Sequence, residues 1–355
     1  MRRESASAGS RAAAEIVGAA LARAGARVEL EPESVHGTYW VPLGLLQVVA
    51  LLPRRAFALA ACAGVINELW IARVRPLRRM LRRRRAVNVV ARLGPDDAER
   101  TLVVHAHHDA AHSGHVFDPR PLRALARMLP ELRTTPPMLW PALAGPALRA
   151  AGARRSGTLV ATGMLAALID IARAPVVPGA CDNLSGVAAL VEVARRLRGD
   201  AIGIRVLLVS TDAEESFLEG MAAFLERHRE ELPRDRTTFI CLESVGSERL
   251  VMLDGEGMLK LHRYPPAPAD ALARAAAQLG IEVERGMRFR FATDGQLPLL
   301  AGYAAAVLSS VDWYRAPRNY HLPADDAEHV DRSTAAAAAA VVAAAVRDWG
   351  GGSVG

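Results

Sequence analysis

Pro178-Gly179-Ala180-Cys181-Asp182-Asn183-Leu184-Ser185-Gly186 runs directly into Val187-Ala188-Ala189-Leu190-Val191-Glu192-Val193-Ala194-Arg195-Arg196-Leu197. The Pro-Gly pair marks a tight turn, and Val187, Leu190, Val191, Ala194 and Leu197 recur at helical spacing, so Asp182 stands where a loop enters a helix. An aspartate there has an ordinary use as a cap that accepts backbone N–H bonds. A second use, as a ligand or catalytic group, gains weight only from the carboxylates and imidazoles found elsewhere in the chain.

Outward from this turn the chain alternates strands and helices. Ile204 to Thr211 is a continuous apolar run of buried-strand type, Phe217 to Arg229 reads as a helix, and Thr237 to Glu243 and Arg249 to Leu253 read as strands. Ala269 to Leu279 is a helix, Ala304 to Ser309 a strand, and Arg332 to Trp349 a closing Ala/Val helix. Upstream, residues 9 to 25 form an Ala-rich amphipathic helix, and Arg27 to Glu31 alternates like an edge strand. Val87 to Leu93 and Thr101 to His107, joined by Gly94-Pro95-Asp96-Asp97, carry a hairpin signature. The pattern predicts an α/β fold with a mostly parallel central sheet flanked by helices on both faces. The Gly-rich end, 350 to 355, is expected to be disordered.

Two stretches break the alternation, 39 to 84 and 116 to 177. Their apolar pieces, Val41 to Pro53, Ala56 to Ala72, Met138 to Ala153 and Thr158 to Ala174, each fall short of the ~20 residues of a comfortable membrane span. Glu68 and Asp170 interrupt two of them. They are expected to pack together as a four-helix subdomain serving as a lid, a dimer contact or a membrane-dipping anchor. The catalytic domain is then assembled from 1 to 38, 85 to 115 and 178 to 349, with the inserts between.

The chain has 355 residues, of which 51% are hydrophobic and only 5% aromatic, so the core must be aliphatic. Cys62, Cys181 and Cys241 are an odd number with no C-x-x-C spacing, which argues against disulfides and a structural zinc site and for a reducing compartment. Glu4, Arg11, Glu15 and Arg23 interrupt the N-terminal segment, so no secretory h-region is read; the expected location is cytoplasmic, at the inner face of a membrane if the inserts reach one. The net charge of +6 is concentrated in Arg73, Arg75, Arg78, Arg79 and Arg82 to Arg85. No stacking aromatics interleave with this cluster, so nucleic acid is not an expected partner; a solvated basic face and contact with anionic lipid are the two readings. The cluster follows the first apolar pair, where a positive-inside flank would lie.

Carboxylates and imidazoles recur at strand ends, where open α/β sheets place their sites. His107-His108-Asp109 closes the Thr101 strand; in H-x-D an imidazole can bind a metal through one nitrogen while the carboxylate accepts the other N–H. His105, His108, His112 and His115 are nearby alternatives. Glu214-Glu215 follows a buried strand, where unpaired carboxylates are costly unless one holds a metal and the other a proton. Glu243 ends the next strand, and Asn319-Tyr320-His321-Leu322-Pro323-Ala324-Asp325-Asp326 sets an imidazole in the loop before the last helix.

In this order, H-x-D, P-G-A-x-D-N-x-S-G, E-E, an acid after a strand and Y-H-x-P-A-D, the chain resembles the co-catalytic di-zinc aminopeptidases of clan MH exopeptidases, which also includes glutamate carboxypeptidase and glutaminyl cyclase. The resemblance covers residues 9 to 38 and 86 to 348 apart from the inserts, and its specificity comes from five co-ordered motifs. It implies two Zn2+ per chain, with Asp182 bridging them, His107 and Glu243 completing one site, and Glu215 and His321 the other. It further implies Glu214 as general base acting on a metal-bridging hydroxide, Asp109 as the group that orients His107, and small peptides as substrates. The chain departs from the pattern at Glu243, where the family usually has Asp, at His108, and at Asp294, a carboxylate behind the site without its usual following His. Tyr314 and Tyr320 are candidate donors to the tetrahedral intermediate, with ordinary packing as the alternative. Other functions in view are an inactive peptidase-like scaffold or membrane-associated binding protein, and cyclase or non-peptide amide chemistry; cyclase relatives use one zinc and lack the first histidine.

Overall fold

The structure, a computed structural model, describes residues 1–70, 75–129 and 137–351. Arg73 of the basic cluster and residues 352–355 of the tail lie outside the described residues. In chain order the elements are α1 (Ala8–Arg23), β1 (Arg27–Val35), α2 (Trp40–Leu51), α3 (Arg55–Leu69), β2 (Arg84–Leu93), β3 (Thr101–His107), α4 (Arg120–Met128), α5 (Trp140–Ala150) and α6 (Arg154–Arg173). There follow α7 (Ser185–Arg196), β4 (Arg205–Thr211), α8 (Glu219–Arg227), β5 (Thr237–Glu243), β6 (Arg249–Glu256), β7 (His262–Arg263), α9 (Pro266–Gln278), β8 (Glu284–Phe289), α10 (Gln296–Leu300), β9 (Ala304–Val311) and α11 (Arg332–Gly351). Gly350 and Gly351 continue the last helix instead of fraying, a correction to the expected disorder from 350 onward.

One sheet holds these strands in the order β1-β2-β4-β3-β5-β9-β6-β7, with β8 paired to β6. β4, β3, β5 and β9 are mutually parallel, whereas β1/β2, β2/β4, β6/β9 and β6/β7 are antiparallel. The sheet is therefore parallel at its centre and antiparallel at β1/β2/β4 and where β6 meets β9 and β7, with β8 parallel to β6, which corrects the expectation of a mostly parallel one. The expected β2–β3 hairpin is also corrected: β4 lies between the two strands, pairing Val90 with Val209 on one side and Val104 with Leu208 on the other. The loop 94–100 steps over that strand, a distance of about 10 Å at ordinary strand spacing.

Residue alternation in β4 shows why it takes the interior position. Val206 and Leu208 face a core with Leu21 of α1, Leu190 of α7, Leu272 of α9 and Val342 of α11. Leu207 and Val209 face the other way, against Met221 and Phe224 of α8. Both faces are covered, so the strand reads as an unbroken apolar run.

α2, α3, α5 and α6 pack on one another beside the sheet, around Leu43, Leu46, Val65, Leu69, Met164 and Leu168. Gly145 permits the close approach of α5 and α6, since a Cβ there would lie 2.7 Å from the Ala161 nitrogen. Arg149 ties the helix ends together by donating to the Leu51 and Leu52 carbonyls, each at 3.0 Å. α6 begins at Arg154, earlier than its apolar run suggests, and at 20 residues it is long and apolar enough to cross a membrane by length and composition.

The basic cluster is divided between interior and solvent. Arg78 is buried, with Nε 2.8 Å from Glu68 Oε2 and Nη1 3.0 Å from Glu219 Oε1, and Arg75 donates to the Phe217 carbonyl. Arg79 and Arg82 to Arg85 remain exposed. The solvated-face reading thus fails for Arg75 and Arg78, because each meets a buried acceptor supplied by a distant segment.

Candidate active site

The central parallel strands deliver their C-terminal ends to one place, as this topology favours. His107 is the last residue of β3 and Glu243 the last of β5; Glu214 and Glu215 follow β4, and His321 lies in the loop after β9. Asp182 enters from the turn before α7, where the Asp182–Asn183 peptide is cis. Ala213, Ser244 and His321 adopt left-handed backbone with φ of 61°, 49° and 55°, so sharp turns at non-glycine residues aim these side chains.

Asp182 is not the helix cap. That task falls to Asn183, whose Oδ1 accepts from the Gly186 and Ser244 amides at 3.1 and 2.9 Å. The two oxygens of Asp182 instead face different imidazoles: Oδ1 is 3.3 Å from His107 Nε2, and Oδ2 is 3.4 Å from His321 Nε2. His107 Nε2 is also 3.7 Å from Glu243 Oε1, and His321 Nε2 is 3.3 Å from Glu215 Oε2. Two groups of donors result, His107/Asp182/Glu243 and Asp182/Glu215/His321, sharing one carboxylate. Glu214 Oε2 approaches His107 Nε2 at 3.9 Å, making a further grouping with His107 and Glu215.

These donors fit a divalent metal. Two ligands of one tetrahedral zinc at ordinary bond lengths lie about 3.3–3.5 Å apart, close to the separations above. Glu215 Oε1 and Glu243 Oε2 are buried with no hydrogen-bond partner, a costly state for carboxylates unless a cation balances them. Burial, with its neighbouring carboxylates, raises Glu214 well above the ordinary range, and burial also raises Glu215 and Glu243. Burial pushes Asp182 the same way, but hydrogen bonds from His107 and His321 outweigh it and hold its carboxyl below the usual range. Burial opposes charge on His321, yet Glu215 and Asp182 push it up to about 10.

The supporting groups are equally specific. Asp109 Oδ1 is 3.3 Å from His107 Nδ1, and its carboxylate accepts the Glu214 and Glu215 amides at 3.2 and 3.1 Å. Ser5 Oγ donates to Asp109 Oδ2 at 2.6 Å, and Arg3 reaches the His108 and Gly179 carbonyls. Asp325 accepts the Cys181 and Asp182 amides at 2.6 and 3.1 Å, fixing the turn. Sequence reasoning missed Arg3 and Ser5, for which the chain offers no local signal. It also gave no role to Asp325, which the Y-H-x-P-A-D motif displays. Asp294 is buried behind the site, hydrogen-bonded to Thr211 Oγ1, and burial raises it to about 7.

None of the alternative histidines enters the donor groups. His105 is buried with neither ring nitrogen partnered, His108 Nδ1 meets Ser210 Oγ at 2.9 Å, His112 Nδ1 meets the Ala174 carbonyl, and His115 pairs with Asp170. Tyr320 stacks on His321 with ring centroids 3.9 Å apart and lines the adjoining pocket, whereas Tyr314 packs against Trp313. That pocket opens onto Asp182, Glu214, Glu215, Glu243 and His321. Its apolar walls include Tyr39, Phe117, Met164 and Ile171 from the two inserts, with Phe217 and Met258.

No curated protein matches the chain in sequence. Among solved structures the chain is similar to a Zn-dependent exopeptidase from Parabacteroides distasonis ATCC 8503, at 17% identity over 97% of this chain and 92% of that one, with a TM-score of 0.58. It is also similar to a glutaminyl cyclase from Bacteroides thetaiotaomicron (16%, 97% and 91%, TM-score 0.60) and a zinc aminopeptidase from Bacillus subtilis (14%, 98% and 90%, TM-score 0.57). At these identities the likeness is one of fold. Residues 158–346, more than half of the chain, match the model of peptidase family M28, and the match spans the Asp182 turn and the later donors as far as His321. By that match the chain belongs to peptidase family M28.

Proposed function

We propose that the chain is a zinc aminopeptidase that binds two zinc ions and removes large apolar N-terminal residues from small peptides. The observation that carries this reading is the carboxylate of Asp182, with one oxygen facing His107 and the other His321. His107, Asp182 and Glu243 would hold one ion, and Asp182, Glu215 and His321 the other. Two divalent ions also match the charge of the four clustered carboxylates Asp182, Glu214, Glu215 and Glu243. Zinc so held lowers the pKa of water and polarises a scissile carbonyl.

The chain's own residues supply the remaining steps. Glu214 is the buried carboxylate left over once the two donor groups are filled. Its Oε2 accepts the proton of the attacking water and returns it to the departing amine. Asp109 Oδ1, 3.3 Å from His107 Nδ1, is placed to favour the tautomer with its proton on Nδ1, leaving Nε2 turned towards Asp182 and Glu243. The walls from the inserts exclude water around a substrate's side chain. Burying a Leu or Phe side chain in such a pocket is worth about 1.5–3 kcal/mol, which favours these residues over glycine roughly 10- to 150-fold.

Hydrolysis of a panel of aminoacyl anilides tests the reading. Leucine and phenylalanine anilides should be cleaved well above glycine anilide, with activity abolished by a chelator and restored by zinc. Cyclisation of N-terminal glutamine with no anilide hydrolysis would replace this function by cyclase chemistry.

A further inference from the structure

Four of the five insert helices, α2, α3, α5 and α6, have an unusual exterior. In α2 the exposed positions are Val41, Leu45 and Val48, a stripe at i, i+4 and i+7 that Leu52 extends past the helix end. In α3 Leu59, Ala63 and Ile66, with Trp70 just past its end, repeat that spacing, and Leu159 of α6 is 76% exposed. Two acidic residues occur in these helices, and both are engaged: Glu68 is buried against Arg78, and Asp170 holds His115. Basic residues are confined to the ends. Arg54 and Arg55 occupy the α2–α3 turn, Arg154 and Arg155 begin α6, and Arg154 donates to the Pro53 carbonyl, so all four share one tip.

A solvated helical unit of this kind would carry charges along its outer walls. Apolar walls ending in an arginine cluster match a surface that offers hydrocarbon beside anionic groups. A second copy of the chain would bring the same walls together, and among the described residues of these four helices no free carboxylate would meet either arginine cluster. The unit does not thread a bilayer: α2 and α5, of 12 and 11 residues, reach only about 18 and 16 Å against ~30 Å of hydrocarbon. Insertion tip first would strand four guanidinium groups inside the membrane, where they are strongly disfavoured.

We propose that the outer walls of α2 and α3 lie in the interface of an anionic lipid bilayer, with Arg54, Arg55, Arg154 and Arg155 among its headgroups. Docking in this plane keeps the catalytic domain outside the bilayer. It also brings the inserts that wall the pocket to the membrane surface.

Co-sedimentation of the full chain with vesicles tests this. The chain should sediment with phosphatidylcholine vesicles containing phosphatidylglycerol, weakly with phosphatidylcholine alone, and less as salt rises. Arg54→Glu/Arg155→Glu should weaken binding by about 30-fold or more. Leu45→Glu/Val48→Glu, at exposed positions, should abolish it while leaving the circular-dichroism melt and anilide hydrolysis unchanged. Failure of the wild-type chain to bind anionic vesicles, or equal binding by either variant, overturns the proposal. So does a lipid-free dimer, seen by sedimentation velocity, that Leu45→Glu/Val48→Glu converts to monomer, because a second copy then covers the stripe.

Discussion

Replacing Arg78 with methionine tests how the insert is joined to the catalytic loop. The Arg78 side chain is 2% exposed and bridges Glu68, 1% exposed, to Glu219, 11% exposed, while also donating to the Ser216 carbonyl at 2.9 Å. Methionine keeps most of the aliphatic stem but leaves two carboxylates buried without their cation, a change that costs about 3–5 kcal/mol. That is a large share of the ~5–15 kcal/mol by which domains are stable. Glu219 records the strength of the arrangement. Burial pushes its carboxyl up, yet hydrogen bonds from His36, the Gly37 amide and Ser216, with the charge of Arg78, hold it at about 2. Ser216 follows Glu215 directly and Glu219 lies three residues beyond Ser216, so the substitution should lower turnover as well as stability. Urea unfolding followed by tryptophan fluorescence and circular dichroism measures the loss, and adding Glu68→Gln should recover part of it. A loss below about 1 kcal/mol, typical of a solvent-exposed ion pair, would refute the account of this junction.

Glu214→Gln should retain its metal while turnover falls by at least about 100-fold, as for the loss of a general base; unchanged turnover in a steady-state assay removes Glu214 from that role. Ser5→Ala removes the 2.6 Å hydrogen bond to Asp109 and should weaken zinc affinity about 10-fold in a chelator competition, whereas unchanged affinity would make Ser5 a packing residue only. His228 is buried between Glu31 and Glu231; burial opposes its charge, but the two carboxylates outweigh it and raise its pKa above 6.5. Its contribution to stability should therefore be complete below about pH 6.5 and fade as pH rises through the higher folded-state value. The difference in urea midpoint between the wild-type chain and His228→Gln should shrink over that window, and a constant difference from acid to alkaline pH would contradict the assignment.

Local pattern carries much of the fold. Thr237 to Glu243 reads as a strand and is β5 to the residue, because a short apolar run that ends in a polar residue has one economical use in a parallel sheet. The β2–β3 pairing does not follow from such signals: the Gly94-Pro95 turn is visible, but the strand between β2 and β3 is supplied by Arg205–Thr211, far along the chain. Arg75 and Arg78 read as a surface charge run because their acceptors come from elsewhere. The clue was Glu68, an acid inside an apolar helix that had to find a cation. Strand-end placement makes His107, Glu214, Glu215 and Glu243 candidates, and the structure brings them together with Asp182 and His321. The pocket walls were not legible, since Tyr39, Met164 and Ile171 reach them only through the way the inserts dock. The same holds for Ser5 and Arg3, whose partners lie more than one hundred residues away.

Metal stoichiometry tests the central claim most directly. Plasma emission spectrometry of the purified chain and of Asp182→Ala should find about two zinc ions per wild-type chain and almost none in the variant, because the substituted carboxylate serves both donor groups. A wild-type chain with one ion or none after zinc is supplied, or an Asp182→Ala chain that still holds two, would contradict the shared-carboxylate site.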